Sequence, residues 1–386
     1  MKAVVVAAGY TDPCREDHLL ARRLAGTLAC STEVDLLVPG GPRHVAEHDG
    51  AVRVLLFPST PEEPRRRVAW RQALFGSDEQ GFDRTGARDR HAALPHFAER
   101  ELLNAEGGDS PGLYHHLRTT PYDVTVFVGV HTPVCYSGVR ALPDRRPFVL
   151  VPGTRDEHVL RLRIHDEAFE RAERILVCTE SERAWVGQRV GAGAADRIEN
   201  TGFVVGVNSL GARTEPPAFD GRHYLVVLGN WHGGPADNRV LRWARHVEDE
   251  VDPDIQLCFA GPGAEHLPRG LCRTSSRLDI WRWVSRAFAL LDPNPGRLIG
   301  RDTLEAYLYG TPIIVAADGR ATQEHAERGN GGLWYRTDDE FYAVVDALRD
   351  DDLRSALGQQ GRAYAQETYA DTDSYIKRVA ATVLAQ

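Results

Sequence analysis

The chain has 386 residues, of which 42% are hydrophobic and 26% are charged, and its formal net charge is −9. This length suggests two domains, and the composition is that of a soluble globular protein. The acidic balance disfavours a nucleic-acid partner, because phosphate backbones bind to a basic field. No apolar run approaches the length of a membrane span, and the short apolar run at residues 3–8 does not fit a signal peptide, so we expect no stable membrane insertion.

The cysteines and lysines of the sequence bear on the cellular compartment and on the source of positive charge. The six cysteines are scattered and form no CxxC pair, which is typical of a reduced, cytoplasmic protein. Lysine occurs only at Lys2 and Lys377, so nearly all of the positive charge is carried by arginine.

The first half of the chain alternates short apolar runs with amphipathic segments, a pattern typical of parallel strands joined by crossover helices. The first strand is not followed by GxGxxG, so the sequence lacks a dinucleotide-binding fingerprint. Between residues 58 and 120 the pattern loosens, and we interpret this part as an insertion that serves acceptor specificity or a subunit contact. The predicted strands cover residues 3–8, 34–38, 52–57, 124–130, 148–151, 175–178 and 198–205, and the predicted helices cover residues 15–28, 66–74, 91–103, 166–173 and 180–190.

The same alternation restarts after a segment rich in Gly, Pro and Ala at residues 208–220, which we interpret as a linker. The strands predicted here cover residues 224–228, 255–260, 287–291 and 312–316, and the helices cover residues 240–247, 341–348, 356–367 and 372–384. We therefore predict an N-terminal domain at residues 1–207, a C-terminal domain at 208–368, and a last helical segment at 369–386 that crosses back to the first domain. Two α/β halves imply a cleft, with ligands at the carboxyl ends of the strands.

Residues 294–324 form the most informative stretch, NPGRLIGRDTLEAYLYGTPIIVAADGRATQE. An irregular loop rich in Gly and Pro leads into a short helix predicted to begin near Asp302. Gly310 is expected to end that helix, and the apolar run that follows is typical of a buried strand. A helix that starts from such a loop offers free backbone N–H groups and the positive end of its dipole, which together favour an anion.

Several segments of the chain share a pattern with one known family. They read FVLVPGTRDE at 148–157, RILVCTESE at 174–182, LVVLGNW at 225–231, IQLCFAGPG at 255–263 and LEAYLYGTPIIV at 304–315. These segments resemble retaining glycosyltransferases of the large family usually numbered four, also called glycosyl transferases group 1, and LEA-x(3)-GTPII is the most specific of them. The resemblance implies an α/β protein of GT-B architecture, in which two Rossmann-like domains with parallel sheets face each other across a cleft.

The resemblance also implies an activity. It is the retaining, metal-independent transfer of a sugar from a nucleoside-diphosphate sugar, with GDP or UDP as the nucleotide, to a small-molecule acceptor, without a further cofactor. Front-face attack assisted by the leaving phosphate would explain retention without an enzymic nucleophile. We expect the acceptor to belong to the biosynthesis of a natural product. The oligomeric state stays open, a homo-oligomer included.

In the enzymes that this chain resembles, the glutamate that matches Glu305 accepts hydrogen bonds from the ribose hydroxyl groups. The backbone N–H groups of residues 301–304 would then meet the diphosphate, whose charge develops as it leaves. An alternative role for Glu305 is structural, because Asp302-x-x-Glu305 comes close to a capping box. The two roles do not exclude each other.

The donor site departs from the family pattern at three positions. The family places a carboxylate that touches the donor sugar eight residues before the position of Glu305, where this chain has Arg297. Asn230 replaces the usual arginine after the first strand of the second domain, and its usual partner lysine falls near Asp237. A cation on the diphosphate must therefore be an arginine, with Arg301 and Arg297 as candidates, and arginine can bind phosphate bidentately.

Four further residues are predicted to face a ligand because each follows a predicted strand. Gly9 and Tyr10 follow the first strand of the chain and are expected to face the donor phosphates or the acceptor. Gly261 follows the strand at 255–260 and is expected to face the donor. Trp231 could stack on a base or a sugar, or it could pack in the core.

The catalytic candidates lie in the first half. His131 stands at the end of its strand, and the family places a histidine and a small acidic motif after the strand at 148–151. Here that motif includes Arg155 and Asp156, with His158 just beyond.

Other functions compete with a transferase. The substitutions at the donor site also fit a catalytically silent homologue that binds a nucleotide or serves as a partner subunit. A phosphorylase of the same fold would need a cofactor-bearing lysine in the second domain, and Lys377 lies in the last predicted helix, so we reject it. A sugar-nucleotide 2-epimerase shares the architecture, but no specific motif supports it.

Overall fold

The computed structural model describes residues 1–11, 16–40, 44–75, 96–143, 146–153, 162–206, 223–229, 231, 235–268, 271–294 and 299–384. The chain forms two compact units. The first contains Met1–Phe203 and Asp373–Gln386, and the second contains Val204–Thr372. The expected linker at residues 208–220 lies outside the described residues.

The described part of the first unit contains an eight-stranded sheet in the order β3-β4-β2-β1-β5-β6-β7-β8. Its central strand β1, with the sequence KAVVVA, is buried along almost its whole length because helices cover both faces of a parallel sheet. β3 pairs antiparallel with β4, and the other neighbouring pairs are parallel. The strands are β1 Lys2–Ala7, β2 Glu33–Pro39, β3 Val45–Asp49, β4 Val52–Phe57, β5 Val124–Val128, β6 Val149–Val151, β7 Arg174–Val177 and β8 Ile198–Asn200.

The α-helices described in the first unit are Glu16–Leu28, Pro64–Phe75, His96–Ala105, Pro111–Thr119, Pro133–Ala141, Asp166–Arg171 and Glu180–Val190, with 3-10 helices at Arg163–His165 and Ala192–Arg197. The last helix, Thr372–Leu384, packs on this unit as well. Its Arg378 donates a hydrogen bond to the carbonyl of Thr201 at 3.2 Å, and its Thr382 donates one to Glu199 at 2.6 Å.

The second unit contains, in its described part, a six-stranded parallel sheet in the order β11-β10-β9-β12-β13-β14. Large aromatic side chains fill one side of it, where Trp243 stacks on Phe341 with a centroid separation of 4.4 Å. The strands are β9 His223–Leu228, β10 Ile255–Ala260, β11 Cys272–Thr274, β12 Ala289–Asp292, β13 Ile313–Ala316 and β14 Gly332–Tyr335. The helices are Pro235–His246, a π turn at Val247–Val251, a 3-10 helix at Ala264–His266, and α-helices Arg277–Val284, Arg301–Tyr309, Arg320–Gly329, Asp338–Ala347 and Asp351–Tyr369.

The insertion expected between residues 58 and 120 is only partly described, since residues 76–95 and with them the predicted start of the helix at 91–103 lie outside the described residues. Its helices Pro64–Phe75 and His96–Ala105 enclose a small apolar cluster that includes Leu74 and Leu102. Helix Pro111–Thr119 was not predicted. Nowhere in the described ranges does a helix have the length and apolar character needed to cross a bilayer.

Candidate functional site

The site helix, Arg301–Tyr309, starts at the carboxyl end of the sheet in the second unit. It begins one residue earlier than predicted, after Gly300, whose backbone lies in the left-handed region with φ of 62°. The first intrahelical hydrogen bond runs from Leu304 N to Gly300 O at 3.2 Å, so the amides of residues 301–303 are not used within the helix. Gly310 ends the helix in a left-handed conformation with φ of 79°, as predicted.

Two predicted donor residues form a buried ion pair on the site helix. Arg301 Nε donates to Oε1 of Glu305 at 2.6 Å, and the side chains are 10% and 6% exposed. The capping-box alternative is wrong, because Gly300 is the N-cap and Asp302 already lies inside the first turn. Glu305 is therefore oriented by a cation one turn earlier in the helix. Arg301 and Glu305 are four residues apart, a spacing at which opposite charges commonly meet on a helix.

Asp292 is a buried carboxylate near this site that the sequence analysis missed. It is the last residue of β12, which lies between β9 and β13 in the sheet, and it is 1% exposed. Its Oδ1 accepts a hydrogen bond from the backbone N–H of Asn294 at 3.2 Å. A charged residue that directly follows the apolar run ALL at a strand's carboxyl end was the signal in the sequence, because ligands of α/β sheets bind at that edge.

His325 is a second residue that the sequence analysis did not select. It lies in helix Arg320–Gly329 and its side chain is fully buried. The imidazole contacts the loop that leads into the site helix, with Nε2 at 2.8 Å from the carbonyl oxygen of Ile299. Burial lowers the pKa of His325 below its ordinary value.

Trp231 packs in the core, which is the second of its two predicted roles. Its side chain is 3% exposed, and its ring meets Phe259 edge to face at a centroid separation of 5.1 Å. The indole N–H donates to the carbonyl of Ala260 at 3.2 Å, so this side chain is satisfied inside the protein. Stacking of Trp231 on a base or sugar is therefore not what this conformation provides.

Gly261 is required by the backbone packing of two strand ends. Its φ of 123° is a conformation that side chains rarely adopt, and a Cβ there would lie 2.1 Å from the carbonyl oxygen of Gly229. The loops after β9 and β10 are held together by a further hydrogen bond from Trp231 N to Pro262 O at 2.9 Å. This close approach explains the glycine without a ligand, and the predicted contact with the donor stays a prediction.

In the first unit, Gly9 and Tyr10 follow β1 as predicted. A Cβ on Gly9 would lie 2.3 Å from the imidazole of His18, so the histidine of the first helix occupies the space of a side chain. The hydroxyl of Tyr10 donates to Glu47 on β3. Burial and this carboxylate raise the pKa of Tyr10 to about 12, which keeps the phenol protonated at neutral pH.

His131 follows β5, which pairs with β1 in the sheet, so His131 and Gly9 lie at the same sheet edge. His131 is partly exposed, at 21%, and its Nε2 lies 3.9 Å from Oδ2 of Asp17 in the first helix. The next residue, Thr132, caps helix Pro133–Ala141 by accepting a hydrogen bond from Cys135 N. This edge thus combines a histidine with a carboxylate, the two group types that most often move protons in enzymes.

Four predicted site residues lie outside the described residues: Arg155, Asp156, Asn230 and Arg297. Asp237, where the family has a lysine, is in the first turn of helix Pro235–His246 and is buried. Within the part of the chain that the structure describes, no group of three or more His, Cys, Asp or Glu side chains is placed to hold a metal ion.

No protein-family profile matches the sequence, and no curated protein matches it. Solved structures do match it along almost its whole length. Sucrose-phosphate synthase from Thermosynechococcus elongatus is 14% identical, with a TM-score of 0.65 and coverage of 98% of this chain and 97% of that chain. The α,α-trehalose 6-phosphate synthase from Burkholderia multivorans is 13% identical, with a TM-score of 0.66 and coverage of 100% and 96%. WaaG, a glycosyltransferase involved in lipopolysaccharide biosynthesis, is 15% identical, with a TM-score of 0.63 and coverage of 100% of both chains.

At these identities the likeness concerns the fold. Both units of this chain are α/β with parallel sheets, apart from the antiparallel edge strand β3, and they match GT-B glycosyltransferase structures. The predicted fold class is confirmed. The chain has the GT-B fold.

Proposed function

We propose that this protein is a glycosyltransferase that takes a sugar from a nucleoside-diphosphate sugar. The observation that carries the proposal is the start of the site helix at the carboxyl end of a parallel sheet, where the first-turn amides precede the first intrahelical hydrogen bond and lie next to a buried arginine–glutamate pair. Such a helix start favours a diphosphate, because the N–H groups and the helix dipole both attract negative charge.

We propose that backbone groups and side chains contact different parts of the donor. Of the amides predicted to meet the diphosphate, those of residues 301–303 bind it and stabilise its charge as it leaves, whereas the amide of Leu304 already donates to Gly300 O. Glu305 accepts hydrogen bonds from the ribose hydroxyl groups, and Arg301 holds its carboxylate in place at 2.6 Å. Arg297 contributes a second guanidinium at the position where the resembled family has a carboxylate. In the second unit, Asn230 and Gly261 are further proposed donor contacts. In the first unit, Gly9 and Tyr10 are proposed to contact the donor phosphates or the acceptor.

The chemistry that we propose is retaining and independent of a metal ion. One of the similar structures is described as trehalose-6-phosphate from E. coli bound with UDP-2-fluoro glucose, and another concerns enzymatic glycosyl transfer with retention, studied on trehalose-6-phosphate synthase. These statements concern those proteins, and they support the proposal of a nucleotide-sugar donor here. The choice between UDP and GDP rests on the family resemblance. Positive charge from arginine and from the helix start would take the place that a divalent cation has in other transferases.

We propose that the acceptor is a small molecule bound by the first unit. His131 would move a proton at the acceptor hydroxyl with Asp17 as its partner, and Arg155 and Asp156 would assist from the same unit. We further propose a cytoplasmic enzyme of natural-product biosynthesis, which is consistent with the cysteine usage.

Calorimetry with GDP and UDP tests the donor site directly. The wild-type protein is expected to bind one of the two, and Glu305→Gln is expected to weaken binding of the nucleoside as well as of the sugar nucleotide, while Glu327→Gln on an exposed helix face serves as the matched control. Incubation with UDP- and GDP-sugars, followed by NMR of the product's anomeric carbon, tests retention. An inverted product would contradict the mechanism, and no binding of either nucleotide would contradict the function.

A catalytically silent homologue is the second candidate, and the Arg301–Glu305 pair is the observation that favours it. A guanidinium that already binds a carboxylate has fewer N–H groups left to bind phosphate. This candidate predicts nucleotide binding without turnover, or no binding at all. Release of nucleotide from a UDP- or GDP-sugar by the wild-type protein, at a rate that Glu305→Gln reduces, would exclude it.

A further inference from the structure

We propose that His325 is a positioning residue that fixes the backbone conformation at the start of the site helix. Its imidazole is fully buried and lies between two elements. Nε2 is 2.8 Å from the carbonyl oxygen of Ile299, and Nδ1 is 3.2 Å from the hydroxyl of Tyr364 in helix Asp351–Tyr369. His325 thereby connects the loop before the site helix to a long helix behind it.

The partners of the ring define its protonation state. A carbonyl oxygen can only accept a hydrogen bond, so the proton of the neutral imidazole must lie on Nε2 and point at Ile299. Nδ1 then accepts a hydrogen bond from the hydroxyl of Tyr364. Both nitrogens of the neutral ring are satisfied in this tautomer, which removes the cost of burying it.

The imidazole also shapes the residue that begins the helix. A Cβ on Gly300 would lie 3.1 Å from Cδ2 of His325 and 3.2 Å from Cγ2 of Thr322, so the space beside this glycine is already filled. Gly300 has a φ of 62°, a conformation that glycine adopts without strain. The hydrogen bond to Ile299 and the contact with Gly300 therefore hold two consecutive residues, and these residues set the direction of the first helical amides.

Aromatic residues keep the ring in this orientation. Tyr369 meets the imidazole edge to face with centroids 5.4 Å apart, and the Tyr307 hydroxyl of the site helix donates to the backbone carbonyl of His325 at 3.3 Å. The titratable or charged groups that surround His325 are Tyr307 from the site helix, Tyr364 and Tyr369 from helix Asp351–Tyr369, and Glu324 and Arg328 from its own helix.

An apolar side chain would fill this position without needing partners, so a purely structural role does not require histidine. Compared with an apolar side chain, the imidazole adds a hydrogen-bond donor that faces Ile299 in the loop before the site helix. We therefore assign the donor bond, rather than the volume of the ring, as the feature that positions the helix start. The consequence for nucleotide binding rests on the proposed function.

The test compares His325→Gln, His325→Leu and Tyr364→Phe in the full chain. The amide nitrogen of glutamine can take the place of Nε2, whereas leucine fills the space without a donor, and Tyr364→Phe removes the bond on the other side of the ring. The first readout is hydrogen exchange of peptides covering residues 299–308 without ligand. The second is the Kd for UDP and GDP, with thermal unfolding as the measure of stability.

We expect His325→Leu to accelerate exchange at the helix start and to raise the Kd about tenfold, the effect of one lost hydrogen bond of moderate strength. His325→Gln should restore most of both, and Tyr364→Phe should lower stability while changing the Kd by less than about twofold. If His325→Leu does not fold, His325→Asn, which keeps the side of the ring that faces Tyr364, carries the same expectation. Equal behaviour of the glutamine and leucine variants, or unchanged exchange and Kd in a folded leucine variant, would overturn the assignment. Faster exchange in His325→Leu, combined with no nucleotide binding by the wild type, would retain the positioning role and reject the proposed function.

Discussion

Breaking the buried ion pair of the site helix should cost more stability than removing it entirely. Arg301 Nε lies 2.6 Å from Oε1 of Glu305, and the side chains are 10% and 6% exposed. Removing one partner of such a pair leaves a buried charge uncompensated, which typically costs about 3–5 kcal/mol. Arg301→Leu and Glu305→Leu are each expected to lower the free energy of unfolding by that amount, or Tm by roughly 6–20 °C for a unit of this size.

The double variant Arg301→Leu/Glu305→Leu replaces both charges by apolar groups. Because neither buried charge is left behind, its stability is expected to lie within about 1 kcal/mol of the wild type or above it. Urea unfolding followed by tryptophan fluorescence measures all four proteins, and the seven tryptophans of the chain supply the signal. Single variants as stable as the wild type would refute the burial and strength that we assign to the pair.

Nucleotide binding separates the structural role of the pair from its role at the donor. If Arg301 and Glu305 contact the nucleotide, each single variant should lose about 1.5–3 kcal/mol of binding free energy, the scale of hydrogen bonds to charged groups. The double variant should lose at least as much although its stability has recovered. A stable double variant that binds UDP or GDP as tightly as the wild type would show that the pair serves the fold alone.

Three further predictions concern stability. Burial lowers the pKa of His325, so the unfolded chain binds a proton near pH 6.5 that the folded chain does not. The free energy of unfolding should therefore fall as pH drops below about 6.5. Urea unfolding between pH 5 and pH 8 should show a weaker fall for His325→Gln than for the wild type, and parallel curves would contradict this. Trp231→Ala should lower the free energy of unfolding by about 3–5 kcal/mol because it leaves a cavity. The Kd for nucleotide, measured well below Tm, should stay unchanged. A stable variant that binds nucleotide weakly would instead support stacking of Trp231 on the ligand. Burial alone would raise the pKa of Asp35, but hydrogen bonds from Arg53, Tyr122 and Lys2 hold this pKa below its ordinary value. The stabilising effect of the carboxylate is therefore present above about pH 4 and is lost as pH falls further. Asp35→Asn should be less stable than the wild type at pH 7 and should lose less stability on acidification, and equal acid sensitivity of the two proteins would contradict this.

The buried strands could be predicted from the sequence because strands that are buried on both faces consist almost entirely of apolar residues. The runs IQLCFA and IIVA are apolar apart from Gln256, as is typical of central parallel strands, and they appear as β10 and β13. β3, with the sequence VAEHD, was missed because it is almost wholly exposed and is held by antiparallel pairing with β4 rather than by burial. Helix Arg320–Gly329 was missed for a related reason, since the face it buries consists largely of small and polar residues such as Ala321, Thr322 and His325.

The candidate site was predictable where a motif fixed the position of a residue and not where packing decided its role. The motif identified Glu305, and the scarcity of lysine pointed to Arg301. Their spacing of four residues contained the signal for the pair that joins them. Whether Trp231 stacks on a ligand or packs against Phe259 depends on the path of the chain after β9, which a single sequence does not specify. The contact of His325 with Ile299 joins residues that are 26 positions apart, so local pattern could not reveal it.

In the proposed donor site, the backbone of the second unit would contribute more to diphosphate binding than side-chain cations do. Residues 204–372 contain no lysine, so any cation on the phosphates there must be an arginine. Arg301, the arginine nearest the helix start among the described residues, already donates its Nε to Glu305. Under the proposed function, the amides of the first helical turn would then supply a larger share of the charge stabilisation, and Ile299 and Gly300 would set their direction. A flexible lysine side chain could move to meet a phosphate, but backbone amides cannot readjust once the helix start is misplaced. We therefore expect substitution of His325 to weaken nucleotide binding more here than it would in a site that contains a lysine.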